Sequence, residues 1–504
     1  MSASVLVDMI PELILLGTAL VVVVGGLILE PNRFGLVPGG SGRGRAGGES
    51  STQAARVFAS GAGLVGTLAS LVSLYFQVSR TGSEHDLLYG TFVLDHYALY
   101  FKAILLVFAL VTLLLAYRFS EHFRPNQSEF IGLVLLATVG GMFMASAREM
   151  IELYVALETL SISLYVMVAF NKRERLSSEA GFKYLVVGAA SSAVLLYGLA
   201  ILYGVGGSTD LIEVAHKATH ADAATVLAMS LTLLGLLGKV GLVPFQRLLP
   251  DVMQGAPAPV TGFVASLGVT AVLGLFLRVA VQAFPAVQSN WTALVALLAA
   301  LSMLYGSVLA LRQRSVRRLA GHLVLAQLGT VLMGVLAWRQ DQQGLAAVLF
   351  ALFTGGLAVI AVAAVITVVE ASGTPDTVDA YRGLSRRSPG AAAALSLALL
   401  SIAGLPPLVG FFARLFTMEA AVLAGYAWLL VLALVCTVLG AVAALRLVRA
   451  VFAAAPDEDA LPLDEPAPAL ATLAVCGAAV VALGAAVQPL LALASGGASA
   501  VIVH

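Results

Sequence analysis

Charge is scarce in this 504-residue chain. Asp, Glu, Lys and Arg make up 11% of it, 28 acidic residues balance 28 basic ones, and only two cysteines are present, Cys436 and Cys476. Two cysteines inside apolar runs supply neither a disulfide framework nor a metal or iron–sulfur site, because such sites need several spaced ligands. No glycine-rich loop follows a strand, and no strands are expected, so a dinucleotide or flavin has no binding fingerprint here, and a quinone has none either. Gly204–Gly207 reads as the end of a span. The N-terminus carries Asp8 and Glu12 in place of a basic region. The first apolar run, Pro11–Leu29, therefore reads as a retained span and not a cleaved signal peptide.

Hydrophobic residues, by contrast, make up 60% of the chain. Runs of about 20 apolar residues recur along nearly its whole length, each long enough to cross a hydrocarbon core of roughly 30 Å as a helix. The expected fold is an all-α polytopic membrane protein of about 14 spans. Among these the second covers 57–79, the seventh 225–243, the twelfth 390–416 and the last 467–492. Two connectors stand out: Pro31–Ala54, rich in Gly, Ser and Arg, reads as a flexible loop, and Pro456–Pro468 as a solvated acidic one. The basic residues of alternate loops sort unevenly. Only Arg80, Arg148, Lys217, Arg278 and Arg339 fall in one group, so the other group faces the cytoplasm and both termini lie on the opposite side. Lys102, Lys183, Lys239 and Arg414 remain within spans.

Lys239 sits in the apolar run Val226–Val243, where an ammonium costs roughly 2.5–3.5 kcal/mol and persists only with a partner, water or a task. Glu158, flanked by Ala156, Leu157, Leu160 and Ile162, is comparably deep. A carboxylate and an amine that bias each other can be switched by one proton, though they can also form a static lock between helices. Pro244 breaks the seventh span after Lys239, and Pro406 and Pro407 break the twelfth before Arg414. Paired breaks of this kind mark a repeat whose opened helices line an ion path. Spans four to eight and nine to thirteen are each odd in number, so two inverted five-helix repeats are expected. The implied divisions are 1–128, 129–282, 293–452 and 453–504, with the Gly-rich loop at 31–54. Lys183 and Lys102 lie near span ends and can snorkel; Lys102 reads as an interfacial anchor, and Asp95 as a local partner.

Several ordered stretches resemble one family. Pro11-Glu-Leu-Ile-Leu-Leu-Gly17, Asp95-His-Tyr-Ala-Leu-Tyr-Phe-Lys102 and Phe182-Lys-Tyr-Leu-Val-Val-Gly-Ala189 are three of them. Gly238-Lys-Val-Gly-Leu-Val-Pro-Phe245, Pro250-Asp-Val-Met-Gln-Gly-Ala-Pro-Ala-Pro-Val-Thr261, Tyr381-Arg-Gly-Leu384 and Gly404-Leu-Pro-Pro-Leu-Val-Gly-Phe-Phe412 follow. They resemble the antiporter-like, proton-translocating subunits of respiratory complex I, bacterial NADH:quinone oxidoreductase, and among these the subunit N branch. The resemblance implies a multi-pass subunit of the bacterial inner membrane without a redox centre of its own. NADH, flavin, iron–sulfur clusters and quinone would then belong to partner subunits, the partners would be other complex I membrane subunits and the lipid bilayer, and nucleic acid has no place.

The resemblance also implies a proton path. Glu158 matches a fifth-span glutamate, Lys239 its seventh-span lysine partner, and Lys183 a sixth-span lysine that modulates them. The eighth-span lysine of the family falls at Val269, the tenth-span histidine at Gln327 and the twelfth-span lysine at Arg414. Arginine holds its charge and hardly cycles a proton. His322, with an ordinary pKa near 6.5, suits relay work or a packed hydrogen-bonded role. Three readings stand at this point: a pump module of complex I, a subunit of a multisubunit cation/proton antiporter or membrane-bound hydrogenase, and a structural complex I subunit with a degraded path.

Overall fold

The computed structural model describes residues 7–29, 45–80, 85–87, 90–119, 126–218, 220–339, 342–453 and 467–502. Twelve helices among them are long and apolar enough to cross a membrane, and a bent pair at the C-terminal end brings the number to 13. The expected twelfth span is present as two fifteen-residue helices, Pro389–Ala403 and Val409–Leu423. In hydrocarbon every backbone polar group needs an internal partner, so apolar runs of this length fold as helices whatever their propensity.

Burial sorts the spans into a centre and a rim. The eighth span, Ala258–Ala283, is buried along its length, and Val316–Val335 and Gln343–Ala371 nearly so. The first, second, sixth (Arg175–Gly206) and thirteenth (Ala427–Phe452) spans instead turn large apolar side chains outward, among them Leu20, Val65, Phe182 and Val431. An outward apolar face of this extent is a liability in water and is what lipid or neighbouring helices require.

Both proline breaks have the same local form. The seventh span runs Ala223–Val240 and stops at Gly241, whose φ of 77° lets its N–H reach back to the carbonyls of Leu237 and Gly238. After Pro244 the chain resumes as Leu248–Gly255. Gly404, at φ 80°, ends Pro389–Ala403 in the same way before Pro406 and Pro407. A positive φ suits glycine because it has no Cβ to clash, and proline removes the N–H that would continue the helix.

Several expectations are corrected. The connector Pro31–Ala54 is not loop throughout: a helix, Arg45–Arg80, begins inside it, while 30–44 lie outside the described residues. The acidic loop falls largely at 454–466, also outside them. Two three-residue strands, His85–Leu87 and Phe92–Leu94, pair antiparallel where no strands were expected. The last span is not one helix over 467–492. It ends at Ala485 and turns by 88° into Val487–Ile502, because Pro489 cannot donate to the carbonyl of Ala485 and its ring crowds it.

Lys102 is no interfacial anchor. It is 1% exposed and pairs at 2.7 Å with Glu12 of the first span. Arg278, counted above with the loop residues, lies within the eighth span with no exposure and pairs with Asp95 at 2.9 Å.

Span ten, Val316–Val335, starts at Ser315, whose cap is reinforced from a distant loop. Asp376 accepts hydrogen bonds from Ser315 Oγ at 2.5 Å and from the N–H groups of Val316 and Arg317 at 3.0 and 3.1 Å. Burial nonetheless pushes its carboxyl above the ordinary value of 3.8. The folded state then binds the proton more readily than the unfolded one, so this group's contribution is complete below 3.8 and is lost as pH rises through the raised folded value. Asp376→Asn is expected to flatten the pH dependence of thermal stability between 3.8 and the raised folded value, measured in detergent. An unchanged slope would contradict the assignment.

Candidate functional site

Lys239 occupies the last turn of the seventh span's first half. Its Nζ donates to Glu158 Oε1 at 3.0 Å, Ser161 Oγ at 3.2 Å and Tyr165 OH at 3.0 Å. An ammonium has three donors, so all are used. The acceptors stand at i, i+3 and i+7 of the fifth span, Met150–Val168, and so share one helix face. Glu158 Oε1 also accepts from Ser192 Oγ of the sixth span at 2.5 Å. The pair is asymmetric in its surroundings: the Lys239 side chain is 2% exposed and that of Glu158 23%.

Close helix packing sets this geometry. A Cβ on Gly235 would lie 2.6 Å from the backbone nitrogen of Leu195, so spans six and seven approach this nearly only at glycine, one turn before Lys239. A Cβ on Gly188 would collide with the Tyr165 hydroxyl, and its absence leaves that hydroxyl free to meet the ammonium. Tyr165 is further braced by Tyr184, edge to face at 4.8 Å between centroids. A buried cation with its donors satisfied and a carboxylate alongside meets the condition under which such a charge persists in a membrane.

Away from Glu158, Lys239 borders a small cavity lined by Tyr184, Leu249, Val252, Val264, Gly268 and Val269 among others. It admits about one water molecule. A π-helical turn, Val264–Gly268, interrupts the eighth span immediately before Val269, and such turns are frequent at functional sites. Val269 therefore faces the lysine cavity and contributes no titratable group.

The other predicted residues are placed apart from this cluster. Lys183 pairs with Glu179 at 2.8 Å and Asp251 at 3.3 Å, with its side chain 45% exposed, and does not contact the Glu158–Lys239 pair. Asp251, on the second half of the broken span, also binds Arg318 at 3.1 Å, so it ties spans six and ten together. His322 is buried, with Nδ1 2.7 Å from the carbonyl of Arg318 and its ring stacked on Tyr305. A carbonyl only accepts, so Nδ1 carries the hydrogen and Nε2 remains the exchangeable position. Arg414 donates to Thr437 Oγ1 and to the carbonyl of Ile402, both at 2.7 Å, and its Nε is buried without a partner. Gln327 lies buried beside Gly355. Pro244, Pro406 and Pro407 lie in the two breaks.

Sequence reasoning missed Ser161, Tyr165 and Ser192. The first two were findable as the i+3 and i+7 neighbours of Glu158, whereas Ser192 had no local signal. The Glu12–Lys102 and Asp95–Arg278 pairs were also missed, since charges near span ends look alike in sequence whether they reach water or each other.

A family model described as "NADH:quinone oxidoreductase/Mrp antiporter, TM" matches residues 147–440. The NADH-quinone oxidoreductase subunit N 2 of Acidobacterium capsulatum is 38% identical over 421 residues, 80% of this chain and 85% of that relative. A chain of respiratory complex I from Thermus thermophilus is 30% identical with a TM-score of 0.75, covering 95% of this chain and 99% of that one. A chain of the Mrp complex from Dietzia sp. is 20% identical with a TM-score of 0.82, covering 100% and 98%, a likeness of fold.

Proposed function

Because this chain belongs to the NADH:quinone oxidoreductase/Mrp antiporter transmembrane family, we propose that it is the subunit N-type membrane component of a proton-pumping complex I, with its proton route centred on Glu158 and Lys239. It is part of an oxidoreductase complex, where the relatives also place it. The observation that carries the proton route is the Lys239 ammonium, held by three oxygens of one helix face at the open end of a broken span.

Two charges about 4 Å apart attract by about 4 kcal/mol at an effective dielectric of 20. Opening or closing the pair by a small helix movement changes that attraction, which is the kind of change a relay needs. Ser192 and Tyr165 keep hydrogen bonds available to each partner when the pair is open. Beyond Lys239 the route passes Val269 by water in the small cavity, and Arg414 shapes the field at the second break without cycling a proton. His322 offers Nε2 to the second half of the route. Lys183 acts at a distance, through the charge of the Asp251–Arg318 pair.

In this reading the halves 129–282 and 293–452 are inverted five-helix units, each opened by its proline break. The arginine-rich loops face the cytoplasm and both termini face away. The redox groups reside in partner subunits, and this chain contributes no redox site of its own.

Glu158→Ala, introduced into the assembled complex, is expected to slow proton transfer through this chain about tenfold or more, since every 1.4 kcal/mol lost from the pair is a factor of ten. Protons moved per electron in membrane vesicles is the measurement. An unaltered ratio at normal subunit content would overturn the route.

A further inference from the structure

We propose that Glu419 is a protonatable relay group of the second broken span. The proposal rests on the proton-translocation reading above and deepens it at the point where Arg414 leaves it incomplete. Arg414 has both terminal nitrogens engaged, by Thr437 and by the Ile402 carbonyl, and a guanidinium does not give up its proton. At the second break itself, the route needs a titratable group other than Arg414.

Glu419 lies on the same helix, Val409–Leu423, one turn from its C-terminal end, and its side chain is exposed. It borders two openings. One, of about 460 Å³, holds Arg414 and Thr437 as its other polar groups among mostly apolar neighbours, including Leu415, Val422, Leu430 and Leu434. The other, of about 420 Å³, contains Gln343, Gln488 and Ser495. Glu419 is the one carboxylate in either lining among the described residues, and it stands where the two meet. A carboxyl in that position can take a proton from water reaching the Arg414 guanidinium and the Thr437 hydroxyl and hand it to water in the second, more polar opening, ending in its starting state.

The C-terminal bend completes the second opening. Gln488, Leu491, Ala492 and Ser495 all line it at i, i+3, i+4 and i+7 of Val487–Ile502, so one face of this last helix forms its wall. That face meets Glu419 only because the chain turns by 88° after Ala485. A straight fourteenth span would carry Gln488 and Ser495 elsewhere. A carboxylate on a membrane helix is costly unless it has water or a task, and this wall supplies polar groups around it.

The test uses the complete complex in sealed membrane vesicles, with Glu419→Gln, Glu419→Asp and Lys239→Ala compared for subunit content, electron transfer and proton pumping across pH. Glu419→Gln is expected to slow pumping through this chain about tenfold or more and to remove one limb of its pH profile, while Glu419→Asp restores both. Normal pumping in Glu419→Gln, with Lys239→Ala impaired, overturns this inference and leaves the central pair standing. Normal pumping in both overturns the proton-route reading itself. Equal losses in the Gln and Asp variants, with reduced subunit content, would make Glu419 a packing residue and also overturn the inference.

Discussion

Lys239→Ala is expected to reduce proton movement through this chain by about a hundredfold or more. Loss of a positioned proton-transfer group typically costs about 10²–10⁴-fold in rate, and removing one partner of a buried ion pair also costs about 3–5 kcal/mol of stability, because the other charge stays behind uncompensated. Glu158 would be left with Ser192 as its remaining hydrogen-bond donor, and Ser161 and Tyr165 would lose the ammonium they share. Two further variants separate transport from mere stability. Glu158→Ala combined with Lys239→Ala is expected to recover part of the stability lost by either alone, with transport still absent, since no unpaired charge remains. Lys239→Arg keeps the charge and hence the lock between spans five and seven, but holds its proton. A relay predicts near-parental thermal stability with lost pumping in that variant. A static ion pair predicts normal pumping, and that result would end the relay interpretation.

The largest effect on stability is expected from Asp95→Ala. Arg278 has no exposed surface, and its Nη2 reaches both Asp95 oxygens at 2.9 Å. Its guanidinium lies over the Tyr97 ring, 4.8 Å from the centroid, and Tyr97 in turn donates to the carbonyl of Gly274 at 2.6 Å. Arg278 Nε and Nη1 are buried with no partner, so Asp95 is the carboxylate that balances this cation. Its removal strands a charge in the interior at a cost of about 3–5 kcal/mol, and also takes the carboxylate from the N–H of Ala98 at the start of the third span. Subunit content of the complex and thermal unfolding in detergent measure the loss. Asp95→Leu with Arg278→Met is expected to recover most of it, because an apolar pair of similar volume avoids the desolvation of both ions. If Asp95→Ala unfolds at the parental temperature, the pair is not what joins the third and eighth spans.

How much was legible in the residues follows from where each interaction is decided. Lys239 was legible because an ammonium in an unbroken apolar run has no local excuse, and Glu158 was found by the same reasoning. The proline breaks were legible because proline and glycine act on the chain's own next turn. Lys102 and Arg278 were misread because each lies near a span end, where sequence alone permits an escape to water. Their partners, Glu12 and Asp95, are remote in the chain, Asp95 lying 183 positions from Arg278. The turn after Ala485 was missed because hydropathy continues smoothly across it, although Pro489 was present to announce it.

Hydropathy, local breaks and the rarity of charge thus settled the class of the molecule, its helical architecture and its central lysine, because a bilayer leaves an apolar chain few ways to satisfy its backbone. Packing settled the rest. Three oxygens of span five converge on Lys239, two further buried ion pairs close, Lys183 is drawn to Asp251 and away from Glu158, and the last helix lies across Glu419. Each of these depends on distances between segments far apart in the chain, which helix periodicity and composition do not encode.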